Sequence, residues 1–161
     1  MRKIIYGQIA LSNLYLKELP DLSDVEAKGD FFCDNNNLTN LKGAPHTVGS
    51  TFSCHNNNLT NLKGSPHTVG STFSCHNNNL DNLKGSPHTV GKNFYCHSSQ
   101  LTNLEGAPIT VKNSFYCHDN KLISLKGGPK FVGNVDTERG DYSCVGNNLS
   151  SLEGAPESVG W

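Results

Sequence analysis

Cys33, Cys54, Cys75, Cys96 and Cys117 recur at one constant interval, and Cys144 follows after a longer one. His55, His76, His97 and His118 each stand one place after one of these cysteines. His46, His67 and His88 form a second series, each beside a proline. Thiols and imidazoles at fixed spacing are the raw material of a disulfide framework, a zinc or nickel site, or a Cys–His nucleophilic pair. Which of these is open depends on where the side chains point. In Phe73–His76, "FSCH", apolar and polar residues alternate as in a short strand, with Phe and Cys inward and Ser and His outward. Cys75 and His76 then project to opposite sides, so they can neither share a metal nor act as a pair. Cysteines that occupy one place in every unit read as a buried column of small apolar side chains, with the thiols reduced. The outward imidazoles stack, and like-charge repulsion disfavours their simultaneous protonation. No metal and no other cofactor is expected. Outward carboxylates are sparse and the glycines recur as turns rather than as a phosphate loop, so no enzyme activity is expected.

The element that positions these columns is the repeat F-x-C-x-x-N-x-L-x-x-L-x-G-x-P-x-x-V-G-x-x. Its first column runs Phe31, Phe52, Phe73, Phe94, Phe115 and Tyr142. Two leucine columns follow, from Leu38 to Leu149 and from Leu41 to Leu152, and valines from Val48 to Val159 close the unit. One unit alone cannot bury its five apolar side chains. Stacked units put like against like, and a period near 20 points to a solenoid. Its strands should stack in parallel about 4.8 Å apart.

Asn36, Asn57, Asn78, Asn120 and Asn147 share the place after the strand, where Ser99 stands in one unit. A buried amide carries donor and acceptor, and can satisfy backbone groups as the chain leaves the strand. Copies on successive coils form a ladder. Ser99 can do part of this, which predicts a weaker or hydrated junction. The neighbours Asn35, Asn37, Asn56 and Asn58 are read as polar filler. Gly43 and its equivalents fit turns, and Pro45 and its equivalents fix the bend that follows. "KGSPHTVG" is too short and broken for an α-helix, so the return side is expected to be extended or irregular, with at most a brief 3₁₀ turn.

Gly70, Phe73, Cys75, Asn78 and Leu80 take the successive places of the strand segment L-x-x-L-x-L-x-x-N-x-L. The chain thus resembles the leucine-rich repeat family over about residues 30–161, departing from it with Gly, Phe and Cys at the first three apolar places. Its "LxxLxGxPxxVG" return is similar to short repeat proteins of large bacteriophages and some bacteria. The resemblance implies a leucine-rich repeat solenoid with short parallel strands on one face and mostly irregular return segments on the other. It also implies a protein-binding concave strand face. A phage origin would imply an inhibitor of a bacterial enzyme or defence factor, a bacterial host protein as partner, and the cytoplasm of the infected cell.

Residues 1–29 hold a degenerate first repeat, with Leu16 and Leu19 spaced as the paired leucines are, and are read as an N-terminal cap. Residues 30–161 form the solenoid, with a charged insertion near 134–140 and Trp161 expected to pack across the last coil. A net charge of −1 gives no general attraction to nucleic acid or anionic membrane, and no apolar run reaches spanning length. On the outward strand face Tyr95 and Tyr116 interrupt a small polar column. With His55, His76, His97, His118 and Asp119 they make the candidate protein-binding face. The leading expectation is a noncatalytic protein-binding repeat module. The alternatives are a structural or homo-assembling repeat protein using its terminal coils and, below it, a carbohydrate-binding module on the Tyr/Asn/His face.

Overall fold

A computed structural model describes residues 3–133 and 140–160. Most of the expected insertion, residues 134–139, and Trp161 lie outside the described residues. Every regular element is a short strand. One set comprises β1 (Lys3–Ile5), β3 (Val25–Ala27), β5 (Thr47–Val48), β7 (Thr68–Val69), β9 (Thr89–Val90), β11 (Thr110–Val111), β13 (Phe131–Val132) and β15 (Ser158–Val159). The other comprises β2 (Ile9–Ala10), β4 (Phe31–Phe32), β6 (Phe52–Ser53), β8 (Phe73–Ser74), β10 (Phe94–Tyr95), β12 (Phe115–Tyr116) and β14 (Tyr142–Ser143). The odd strands form one eight-stranded sheet and the even strands a seven-stranded sheet. All pairings are parallel and join equivalent places of successive coils, as in Phe52↔Phe73 and Val48↔Val69.

This is a two-sheeted parallel β-solenoid, and it corrects the leucine-rich repeat expectation. Among the described residues there is no helix. The return, expected to be mostly irregular, carries the larger sheet. Its Thr-Val pairs point Val inward and bond backbone to backbone with the next coil, as in Gly70 N–H to Val48 O at 2.9 Å. The first place of the strand motif, which a leucine-rich repeat fills with an inward leucine, is here a corner where backbones touch. A Cβ on Gly70 would collide with the carbonyl of Gly49, and one on Gly91 with that of Gly70. With parallel strands on both sides, the two faces share one strand spacing, which removes the ground on which the leucine-rich repeat resemblance implied a concave strand face.

Between the sheets the columns stand as a single core. Phe31, Phe52, Phe73, Phe94 and Phe115 are fully buried, as are Cys33 to Cys117 and the leucines from Leu38 to Leu104. Consecutive phenylalanine rings lie 5.2, 5.6, 5.2 and 5.3 Å apart. Burying each Phe or Leu contributes about 1.5–3 kcal/mol, and only a neighbouring coil supplies the contact. Residues 3–22 contribute β1 and β2 to the stack, with Leu19 buried and Leu16 packed against the core.

Candidate binding face on the seven-stranded sheet

The strand exit is held by the asparagines. Asn78 accepts from Leu59 N–H at 3.0 Å and donates its amide to Cys75 O at 3.0 Å and Cys54 O at 3.1 Å. Asn57 does the same with Leu38, Cys54 and Cys33, and Asn147 with Leu122, Cys144 and Cys117. Asn36 reaches back to Leu14 and Leu16, and Asn120 to Ser99 and Leu101. Every one of them ties its own coil to the one before. At Ser99 the hydroxyl is buried and has no partner.

Asn35, Asn56 and Asn77 prove to be more than filler. They adopt left-handed backbone, with φ of 53°, 51° and 52°, as do Ser98 and Asp119. Asn56 donates to Asn35 Oδ1 and Asn77 to Asn56 Oδ1, each at 2.8 Å. Asparagine, aspartate and glycine tolerate this conformation best. The column's last member, Gly146, was the sequence signal for it.

Outward from this exit, register places Ala10, Phe32, Ser53, Ser74, Tyr95, Tyr116 and Ser143 in one column. His55, His76, His97 and His118 form the next, with ring centroids 4.5, 4.3 and 4.3 Å apart and near-parallel planes. The two columns are locked together: Ser53 Oγ lies 2.7 Å from His55 Nδ1, and Ser74 Oγ 2.8 Å from His76 Nδ1. The sequence pattern turns these serines outward, yet Ser53 and Ser74 are only 5% and 7% exposed, overhung by their larger neighbours. Tyr95 and Tyr116 stack at 5.1 Å, and Tyr116 donates its hydroxyl to Asp141 Oδ2 at 2.8 Å. Asp119 sits at the end of the face, its Oδ2 2.8 Å from His118 Nδ1. The face therefore brings together all seven residues singled out on it. Phe32 belongs to the same column, at the place between Phe31 and Cys33 that Ser53 fills one coil later.

Electrostatics make this face neutral at its centre. Burial, followed by repulsion from His97, His55 and His118, pulls the His76 imidazole down to about 4. Burial also lowers His97, with His118 adding to it. Burial, then the bond to Asp141, raises the Tyr116 phenol. Stacked parallel rings send their nitrogen lone pairs out side by side rather than to a common point, which is poor geometry for one metal ion. Among the described residues no three His, Cys, Asp or Glu side chains form a metal-binding group. The cysteines lie on the opposite side of the strands. All six are free, and burial raises the Cys75 thiol and pushes that of Cys117 up to about 12.

Comparison with family models, with curated proteins and with solved structures returned no match. The assignment that stands is structural: the chain is a repeat β-solenoid, an architecture consistent with a binding or structural module. No helix among the described residues is long and apolar enough to cross a membrane.

Proposed function

We propose that this chain is a noncatalytic structural repeat module that joins further copies of itself through its terminal coils. One contrast carries the reading. Leu125 is 2% exposed under its neighbour, whereas Leu152, the same side chain one coil later, is 69% exposed. Val145 and half-buried Cys144 belong to the same open coil. Strands β14 and β15 end the two sheets there, while β1 and β2 end them on the other side, where Ile5, in register with inward Ala27 and Val48, is 36% exposed.

These edges match. Every internal junction is a parallel pair between equivalent places, so the trailing edge of one copy can meet the leading edge of the next as β12 meets β14. Such a contact is head-to-tail and propagates instead of closing. A noncatalytic role is supported by the thiols of Cys33, Cys54, Cys75, Cys96 and Cys117, which are buried and whose pKa values burial raises, so that they are not available as nucleophiles. The finer expectation of an inhibitor came with the leucine-rich repeat resemblance and is not carried forward.

Sedimentation equilibrium across a wide concentration range tests the reading. The wild type should gain mass with concentration, whereas Leu152→Asp and Ile5→Asp should each stay monomeric with an unchanged circular dichroism spectrum. A wild type that is monomeric throughout, or variants that assemble equally well, would refute it.

A further inference from the structure

The corner place that Gly49, Gly70, Gly91 and Gly133 fill in their coils is held by Lys112 between the last two. Backbones touch at that corner, and a Cβ on Gly91 would collide with the carbonyl of Gly70. Lys112 carries such a Cβ, and around it the eight-stranded sheet opens. Strands β7 and β9 pair through both residues, Thr68↔Thr89 and Val69↔Val90, and so do β11 and β13. Between β9 and β11 the pairing shrinks to Val90↔Val111.

The flanking backbone bonds are lost at the same junction. His88 N–H donates to His67 O at 3.0 Å and Lys130 N–H to Ile109 O at 2.8 Å, but no bond joins Ile109 N–H to His88 O. Gly91 N–H reaches Val69 O and Gly133 N–H reaches Val111 O, each at 3.0 Å, whereas Lys112 N–H makes no such bond to Val90 O. The opening is bounded at both ends. Ser86 Oγ donates to Gly106 O at 2.6 Å before it, and Asn113 N–H to Lys92 O at 3.1 Å after it. Between these ties lies a cleft of about 520 Å³.

We propose that this cleft binds a small monocarboxylic acid, its carboxylate held by the Lys112 ammonium and the Ile109 N–H, its apolar tail against Pro87, Pro108 and Ile109. Three observations select that occupant. Lys112 lines the cleft and no Asp or Glu does, and among the described residues no carboxylate pairs with it. A carboxylate gains a charge-assisted bond there, while a cationic ligand meets only like charge. The Ile109 N–H, turned across the opening toward His88, is a second donor that asks for an acceptor. The remaining walls are largely apolar, which suits a hydrocarbon tail and not a phosphate with acceptors on every side. Small-molecule sites run to about 300–1,000 Å³, and the ties at both ends make this one a pocket rather than a groove for a polypeptide. Strands β9 and β11 are interior to their sheet, so the proposal stands or falls separately from assembly through the terminal coils.

The test titrates the full chain with hexanoate, hexanamide and hexylammonium, which share an apolar tail, followed by amide NMR shifts. Hexanoate should bind with shifts centred on His88, Ile109 and Lys112. At low salt it should bind about three- to fivefold more tightly than hexanamide, the margin narrowing as salt is added. Hexylammonium should bind most weakly. Lys112→Gln keeps the Cβ that holds the cleft open and removes the charge, so hexanoate should lose its advantage over hexanamide. Lys112→Gly removes the wedge. Exchange of the Ile109 amide should then slow by at least about tenfold as its bond to His88 forms, and hexanoate binding should be lost. The proposal is overturned if hexanoate does not bind, or if hexanamide or hexylammonium binds the wild type as tightly. It is equally overturned if Lys112→Gln retains the preference for hexanoate, or if Lys112→Gly binds hexanoate as well as the wild type.

Discussion

Leu59 donates its backbone N–H to the side-chain oxygen of Asn78 at 3.0 Å, one coil further along the chain. That single contact spans a coil junction, and removing the amide strands a buried backbone donor. Asn78→Ala is expected to cost about 1–3 kcal/mol in urea unfolding. Asn77→Gly should be close to neutral, because glycine accepts the left-handed backbone observed there. Asn77→Ala should fall between, since it keeps neither the conformation nor the bond to Asn56 at little cost. Equal sensitivity of Asn78→Ala and Asn77→Gly would contradict this account of the strand exit.

Ser99 interrupts the ladder, and its buried hydroxyl has no partner. Ser99→Asn places an amide where Asn57, Asn78 and Asn120 already show the geometry to be available. It should stabilise the protein by about 1 kcal/mol, with amide exchange slowing around Leu80 and Leu101. A destabilised variant would mean that the local coil has closed down on the smaller side chain.

Cys75 lies in the core with no exposure. Cys75→Ser puts a hydroxyl in its place and should cost about 1–3 kcal/mol. Alkylation of the native protein should be slow at Cys54, Cys75 and Cys96, and fastest at half-buried Cys144. Prompt labelling of Cys75 in the native state would place it outside the core.

The His76 imidazole is held neutral in the fold, from an ordinary 6.5 down to about 4, by burial and by the rings stacked beside it. Between those values the unfolded chain binds a proton that the folded chain does not. Stability is therefore fully present above about 6.5, falls as pH is lowered toward about 4, and loses no more through this group below that. His76→Gln should flatten the slope of unfolding free energy between pH 4 and 6.5. An unchanged slope would place the acid sensitivity in other groups.

The solenoid, its register and its core were legible from residue spacing. A unit with Phe, Cys, two Leu and Val cannot bury itself, so successive copies had to stack, and Asn78 had to serve a strand exit. The return side was not legible. Thr68–Val69 is two residues long, too short for alternation to show, and its strand exists only through backbone bonds to the coils on either side. Gly70 looked like the first place of a leucine-rich strand until packing showed its neighbour's carbonyl where a side chain would go. The burial of Ser53 and Ser74 is likewise a product of the stack. Their exposure depends on Phe32 and Tyr95, residues one coil away whose bulk no local pattern around a serine can register. Periodicity within the chain determined which side chains stack, because burial acts on every copy alike. Contacts between coils decided what the backbone does at the corners and what shape the outer face takes, because both depend on atoms a full repeat away in sequence and one strand spacing away in space.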